Sequence, residues 1–258
     1  LLSDTPRTAG SVPADAVAQA QEELGHEHPD TAKHALALAS FYARTGATKR
    51  AERLHQTSMG LLEKSLGANS RFAVQARTRF AAVVAGAGDR DAAKALLAQA
   101  RTAAASLGPN DPDHAVVLES MAALATASGN DAEARDLLHE AVTIRSGAPA
   151  ANDAVAAGLT LAQLAERQQA LGETEAAIAT LRDALDRVDE ASASLLATGS
   201  AQQKAKNAAR LRGLTDQVVA LHLQHAPANG DAAALAARSV LRHKARVLEA
   251  LTARVAQR

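Results

Sequence analysis

The chain has 258 residues and no formal net charge, and 67 of those residues are alanine while only 4 are aromatic. Alanine has the highest helix propensity and loses no side-chain entropy on ordering, so this composition excludes a bulky sheet core and points to closely packed helices. Hydrophobic residues make up 47% and charged residues 22%, too apolar for a disordered chain and too evenly interrupted for a membrane protein.

The opening Leu1 to Gly10 carries no initiating Met, no basic stretch ahead of an apolar core and no cleavage-like signal, which reads as a start inside a longer polypeptide. Residues 13–24 are expected to form a helix. From there the sequence repeats itself. Leu24-Gly25 recurs as Leu66-Gly67 and Leu107-Gly108, while a second marker, Gly46, Gly88, Gly129 and Gly172, steps by 42, 41 and 43 residues. A period of this length signals stacked supersecondary units.

Each glycine of the second series closes one helix and leads through polar residues into another. Seven residues before it stands Ala39, Ala81, Ala122 or Ala165, and five after it Ala51, Ala93, Ala134 or Ala177. Such small residues let antiparallel helices approach closely. Leu38, Phe80, Met121 and Leu164 on the first helices, and Leu54, Leu97, Leu138 and Leu181 on the second, are expected to fill the remaining core. Of the longer connections, 24–30 (LGHEHPD) and 107–113 (LGPNDPD) each end in Pro-Asp. Asp30 and Asp113 are expected to cap the helices that follow.

The 24–30 connection, with its period of 42, resembles the tetratricopeptide repeat in its kinesin-light-chain-like form. The resemblance covers four repeats over residues 31–190, with 1–30 holding the end of a preceding repeat helix. It implies an all-α, right-handed superhelical solenoid of antiparallel helix pairs. Repeats three and four lack the aromatic anchors of the family, and alanine is unusually abundant.

Beyond Glu190 the period is lost. A short helical stretch at Ser192 to Leu196, a long helix from Gln202 to Gln224 and a last helix opening at Asp231 are expected, with Asp231 as its cap. Residues 201–258 carry a formal charge of +7 and residues 1–200 a charge of −7. Val240, Leu241, Val247, Leu248, Leu251 and Val255 form an apolar stripe, and Arg238, Arg242 and Arg246 a basic one. With Lys244, these arginines are the expected C-terminal interface. Residues 242–251 (RHKARVLEAL) resemble the segment between tetratricopeptide arrays and CHAT-type caspase-like protease domains, with Ala245 in place of the family's usual Gly. This implies that the chain is the regulatory portion of a protease whose catalytic domain lies elsewhere in the polypeptide.

Other chemistry finds little footing. Without Cys there is no disulfide, thiolate metal site or cysteine nucleophile in this sequence, a pattern that fits a cytoplasmic protein. His26, His28 and His34 read as parts of a helix connection rather than metal ligands, and no phosphate-binding glycine loop or G-x-S-x-G elbow is present. No metal, cofactor or catalytic residue is therefore assigned, and no membrane association is expected. Nucleic-acid binding by the basic C-terminal helices is the alternative of a different class, disfavoured by the lack of aromatic residues beyond Phe80 to stack on bases.

The function expected is non-catalytic recognition of a protein or peptide, or of an absent domain of the same polypeptide. The resemblance places Lys33, Leu36, Ser40, Arg44, Gln75, Arg79, Glu119, Gln163 and Glu166 on the concave face. That face would be basic in repeats one and two and acidic or amide-bearing in three and four. An extended or helical peptide with an acidic end toward Arg44 and Arg79 fits it best. Leu36 and Thr78 stand where a carboxylate clamp would need polar donors.

Overall fold

The computed structural model describes residues 11–147, 151–197 and 212–256, and within them the chain is helical, with no strand. The repeat helices are α1 (Ser11–Leu24), α2 (Pro29–Arg44), α3 (Thr48–Leu66), α4 (Arg71–Gly86), α5 (Arg90–Ala104), α6 (Pro112–Ala127), α7 (Asp131–Ser146), α8 (Ala151–Ala170) and α9 (Thr174–Ala197). Helix α10 covers 212–220 and ends in a π-helical turn, Leu221–His225, before α11 (Gly230–Ala256). The result is an all-α tetratricopeptide-type solenoid. Two compact units divide it within α6, Leu1–Leu124 and Ala125–Arg258.

The short turns are built alike. Gly46, Gly88, Gly129 and Gly172 all have φ between 77° and 99°, the left-handed region where a Cβ would be strained. The residue after each glycine donates its N–H five residues back: Ala47 to Tyr42, Asp89 to Val84, Asn130 to Ala125 and Glu173 to Gln168, at 2.8–3.2 Å. This bond closes the outgoing helix and fixes the angle at which the next one leaves.

The long connections show where the sequence reading needs correction. Asp30 and Asp113 do not cap α2 and α6. Their own N–H groups are the donors, to His28 Nδ1 at 3.2 Å and Asp111 Oδ1 at 2.9 Å. Ser70 does the same work for α4, accepting from Ala73 N–H at 3.3 Å. Each acceptor stands one residue before the first helical position, which is Pro29, Arg71 or Pro112, so His28, Ser70 and Asp111 are the equivalent residues, and proline is readily accepted at the position after the cap. Asp231 is likewise displaced by Asn229, whose side-chain oxygen accepts from Asp231 and Ala232 N–H.

All eight alanines of the repeat pattern are buried, each no more than 2% exposed. In the first unit Ala39, Ala43 and Ala51 pack with Phe80 and Val84, while Ala81, Ala93 and Leu97 form the next cluster. Helix α1 covers α2 through Val17, Ala35 and Leu38. One column is out of step with the sequence reading. Four residues after each second-helix alanine stand Leu97, Leu138 and Leu181, but in the first repeat that residue is His55, not Leu54. Leu54 is only half-buried at the edge of its cluster.

In the second unit α8 and α9 approach closely. A Cβ at Gly158 would lie 2.5 Å from Val188 Cγ2 and 3.0 Å from the Ala184 carbonyl, so the two backbones approach too closely for any side chain there. Helix α9 runs unbroken through 192–196, which absorbs the separate stretch expected there. Leu214 and Val218 of α10, Leu221 of the π-helical turn, and Ala232, Leu235 and Ser239 of α11 are buried. The expected helix start at 202–211 lies outside the described residues. Within the expected apolar stripe, Leu241 is 67% exposed; the side chains from Arg246 onward, Val247, Leu248, Leu251 and Val255 included, are not among those described.

Candidate functional site

On the first helices of the repeats, burial separates one open face from the core. In α2 the residues that are not buried include Lys33, Ala37, Ser40 and Arg44; in α4 they include Gln75, Arg79, Ala82 and Gly86. The steps of 4, 3 and 4 residues place each set on a single helix face. Leu36 belongs elsewhere. It is 7% exposed and packs with Ala32, Met59, Leu62 and Ala73, because it lies one residue, about 100° of helix, from Ala37.

Within the first unit the polar groups on this face are mostly engaged with one another. Lys33 Nζ lies 2.6 Å from Asp30 and 5.1 Å from the centroid of the Phe72 ring on α4. Arg71 forks onto Asp111, with contacts of 2.5 and 3.2 Å, and also reaches Asp113 at 2.6 Å. Gln75 donates to the same Asp113 at 3.0 Å. The carboxylates of the 107–113 connection therefore tie α4 to the start of α6, and they hold the Arg71 guanidinium above its ordinary pKa. Ser40 returns its hydroxyl to the Leu36 carbonyl of its own helix at 3.1 Å. Arg44 and Arg79 are exposed, and of the five Lys and Arg side chains on α2 and α4 they are the two with no carboxylate partner among the described residues. Glu119, on α6, is half-buried.

In the second unit Gln163 and Glu166 lie exposed on α8. Beside them Arg167 bonds Asp131 at 2.8 Å and reaches Glu166 at 3.4 Å, and Arg135 bonds Glu173 at 2.5 Å. These crossed pairs join α7 to the end of α8 and the turn after it.

The basic C-terminal helix is partly neutralised from within. Arg238 pairs with Asp186 and, at 3.5 Å, with Asp189; Arg242 also pairs with Asp189, whose side chain is only 8% exposed. Arg182 meets Asp231 at 3.8 Å. Two of the four residues expected to present a C-terminal interface thus hold α11 against α9, which removes much of the field available to a polyanion. Lys244 is exposed; the Arg246 side chain lies outside the described residues. Among the described residues no helix is long and apolar enough to cross a membrane.

Helix pairs closed by left-handed glycines at a spacing of about 42 residues define a protein of the tetratricopeptide-repeat class in its fold. Crystallised TPR-like repeats of a kinesin light chain from Podosopora anserina superpose with a TM-score of 0.58 at 19% identity, over 86% of this chain and 99% of that one. BtubC (BKLC) from P. vanneervenii gives the same score and identity over 74% of this chain and 75% of its own. At this identity the likeness is one of fold. No family model matches the sequence, and no curated protein does.

Proposed function

We propose that this chain is a non-catalytic recognition module whose open first-helix face binds a peptide with acidic residues facing Arg44 and Arg79. A solenoid of helix pairs offers a long, regular surface suited to extended or helical ligands. The observation that carries the reading is the contrast among the cations of α2 and α4. Lys33, Arg71 and Arg77 are each matched to a carboxylate, whereas Arg44 and Arg79 stand exposed without one among the described residues. Unmatched guanidiniums on a face otherwise rich in small side chains suit carboxylate recognition. The same surface would serve whether the partner is a separate protein or, as the likeness of 242–251 to the approach of CHAT-type domains suggests, a domain of the same polypeptide.

The test is an array of acidic, neutral and basic peptides titrated against the wild-type chain and an R44Q/R79Q variant. Acidic peptides should bind best, and the double variant should weaken them by tenfold or more, since a charged hydrogen bond is worth about 1.5–3 kcal/mol. Equal binding by both proteins, or a preference for basic peptides, overturns the reading.

A further inference from the structure

The buried imidazole in the core of the first unit is closed to ligands. His55 is 5% exposed, its ring lies on Phe80 with centroids 3.8 Å apart, and its Nε2, sealed from solvent, has no hydrogen-bond partner. Burial, followed by the nearby Arg77 guanidinium, pushes its pKa down to about 4.

A reactive group within reach of solvent stands instead in the second unit, at the start of α11. Of the six asparagines in the chain, Asn229 alone is followed by glycine. Gly230 is exposed and Asn229 half-buried. A glycine has no Cβ to hinder its own nitrogen, so in Asn-Gly the backbone N–H most readily reaches the side-chain carbonyl carbon of the residue before it. As the first residue of a helix, Gly230 also has no intrahelical acceptor for that N–H.

In the folded chain the carboxamide is committed elsewhere. Asn229 Oδ1 accepts from the N–H groups of Asp231 at 2.9 Å and Ala232 at 3.1 Å. Its own N–H donates to the Ala226 carbonyl, and its carbonyl accepts from Ala233 N–H, both at 3.1 Å. These bonds fix the backbone and the side chain of Asn229 together. They draw the carboxamide forward over the second and third residues of the helix, the ordinary capping geometry, whereas ring closure needs it folded back against the first. The turn must open before the reacting atoms can meet.

We propose that Asn229 is a site of spontaneous modification, converted to isoaspartate and aspartate when the first turn of α11 opens. The Gly230 nitrogen attacks Asn229 Cγ and closes a five-membered imide. The Cγ–Nδ2 bond breaks, and Nδ2 leaves as ammonia with the proton given up by Gly230. Water then opens the ring. Addition at the side-chain carbonyl gives aspartate, and addition at the main-chain carbonyl gives isoaspartate, which lengthens the main chain by a methylene.

The two products differ at the cap. Aspartate keeps an acceptor oxygen and adds negative charge at a helix N-terminus, where it is favourable. Isoaspartate moves both capping oxygens, so the turn cannot close as before. Because Ala232, Leu235 and Ser239 are buried and Arg238 and Arg242 pair with Asp189 on the same helix, the docking of α11 governs access to the reaction. Each conversion is a permanent record of an opening. The site does not depend on the peptide reading above.

The test incubates the full chain at pH 8 and 37 °C, native and in 6 M guanidinium chloride. Peptide mapping follows conversion at Asn229, and an isoaspartyl methyltransferase reports the isoaspartate. Native-state amide exchange at Asp231 and Ala232 gives the open fraction of the turn independently. The ratio of native to denatured conversion rates should match that fraction within threefold, and G230A should slow the denatured reaction at least tenfold. Absence of isoaspartate at Asn229 in the denatured chain, a native rate outside that range, or a denatured rate unchanged by G230A overturns the proposal. No variant has to fold for the question to be decided.

Discussion

His55 shows how much a single residue can alter a repeat. A buried ring nitrogen without a partner costs about 1–3 kcal/mol relative to a satisfied one, and Leu97, Leu138 and Leu181 occupy the same register without that cost. His55→Leu should therefore raise the urea midpoint at pH 7. The pH dependence has a definite sign. Since the folded pKa of about 4 lies below the ordinary 6.5, the unfolded chain takes up the proton first. Stability is complete above pH 6.5 and is lost as the pH falls toward 4, by roughly 3 kcal/mol at about 1.36 kcal/mol per pKa unit. Urea midpoints at pH 7 and 5 should diverge less in the variant than in the wild-type chain, and equal divergence would place the titration elsewhere. The alanine lattice was legible in the sequence because it recurs at fixed distances from a glycine. His55 was not, because an adjacent leucine, Leu54, offered a more hydrophobic match one residue out of register.

At the level of the helix pair, packing overrides propensity at Gly158. Glycine to alanine inside a helix ordinarily gains about 1 kcal/mol, but here the added methyl would meet Val188 and the backbone carbonyl of Ala184. Gly158→Ala should instead destabilise the second unit by about 1–3 kcal/mol, and a raised thermal midpoint would show that α8 and α9 have room to part. The C-terminal docking makes a separate prediction. Asp189 is nearly enclosed and faces Arg238 and Arg242, so R238Q/R242Q would take both of these cations away from a buried carboxylate. Hydrogen exchange should quicken along α11 and at the end of α9 while α2 to α5 keep their wild-type protection. Unchanged α11 rates would show that the pairs do not fasten the helix. The existence of these elements was legible from glycine and proline spacing. Their caps were not, because Pro-Asp drew attention to the aspartate, whereas His28 and Asp111 accept the bonds.

For the molecule as a whole, period was the decisive signal. Nearest-neighbour stacking makes every repeat solve the same packing problem, so the inward faces are nearly copies of one another. The outward faces obey no such constraint. Analogy of position sets Leu36 among the binding residues, although one step of about 100° turns it into the core. The division between faces can be tested directly. Ala81→Leu or Ala122→Leu should overpack a helix crossing and cost about 1–3 kcal/mol in chemical denaturation, whereas Ser40→Ala on the open face should stay within about 0.5 kcal/mol of wild type. Comparable losses would mean that the inward and outward faces are wrongly divided.

Tyr42 is the lone tyrosine of a chain without tryptophan. Its ring stands edge-on to Phe41 with centroids 6.1 Å apart, and the Arg50 guanidinium lies 4.3 Å above it. Tyrosine emission from this protein thus comes from one place, the junction of α2 and α3, while the far-ultraviolet helical signal is summed over every helix. A melt followed by both would read first-repeat fraying separately from global loss of helix, with no dye or label attached.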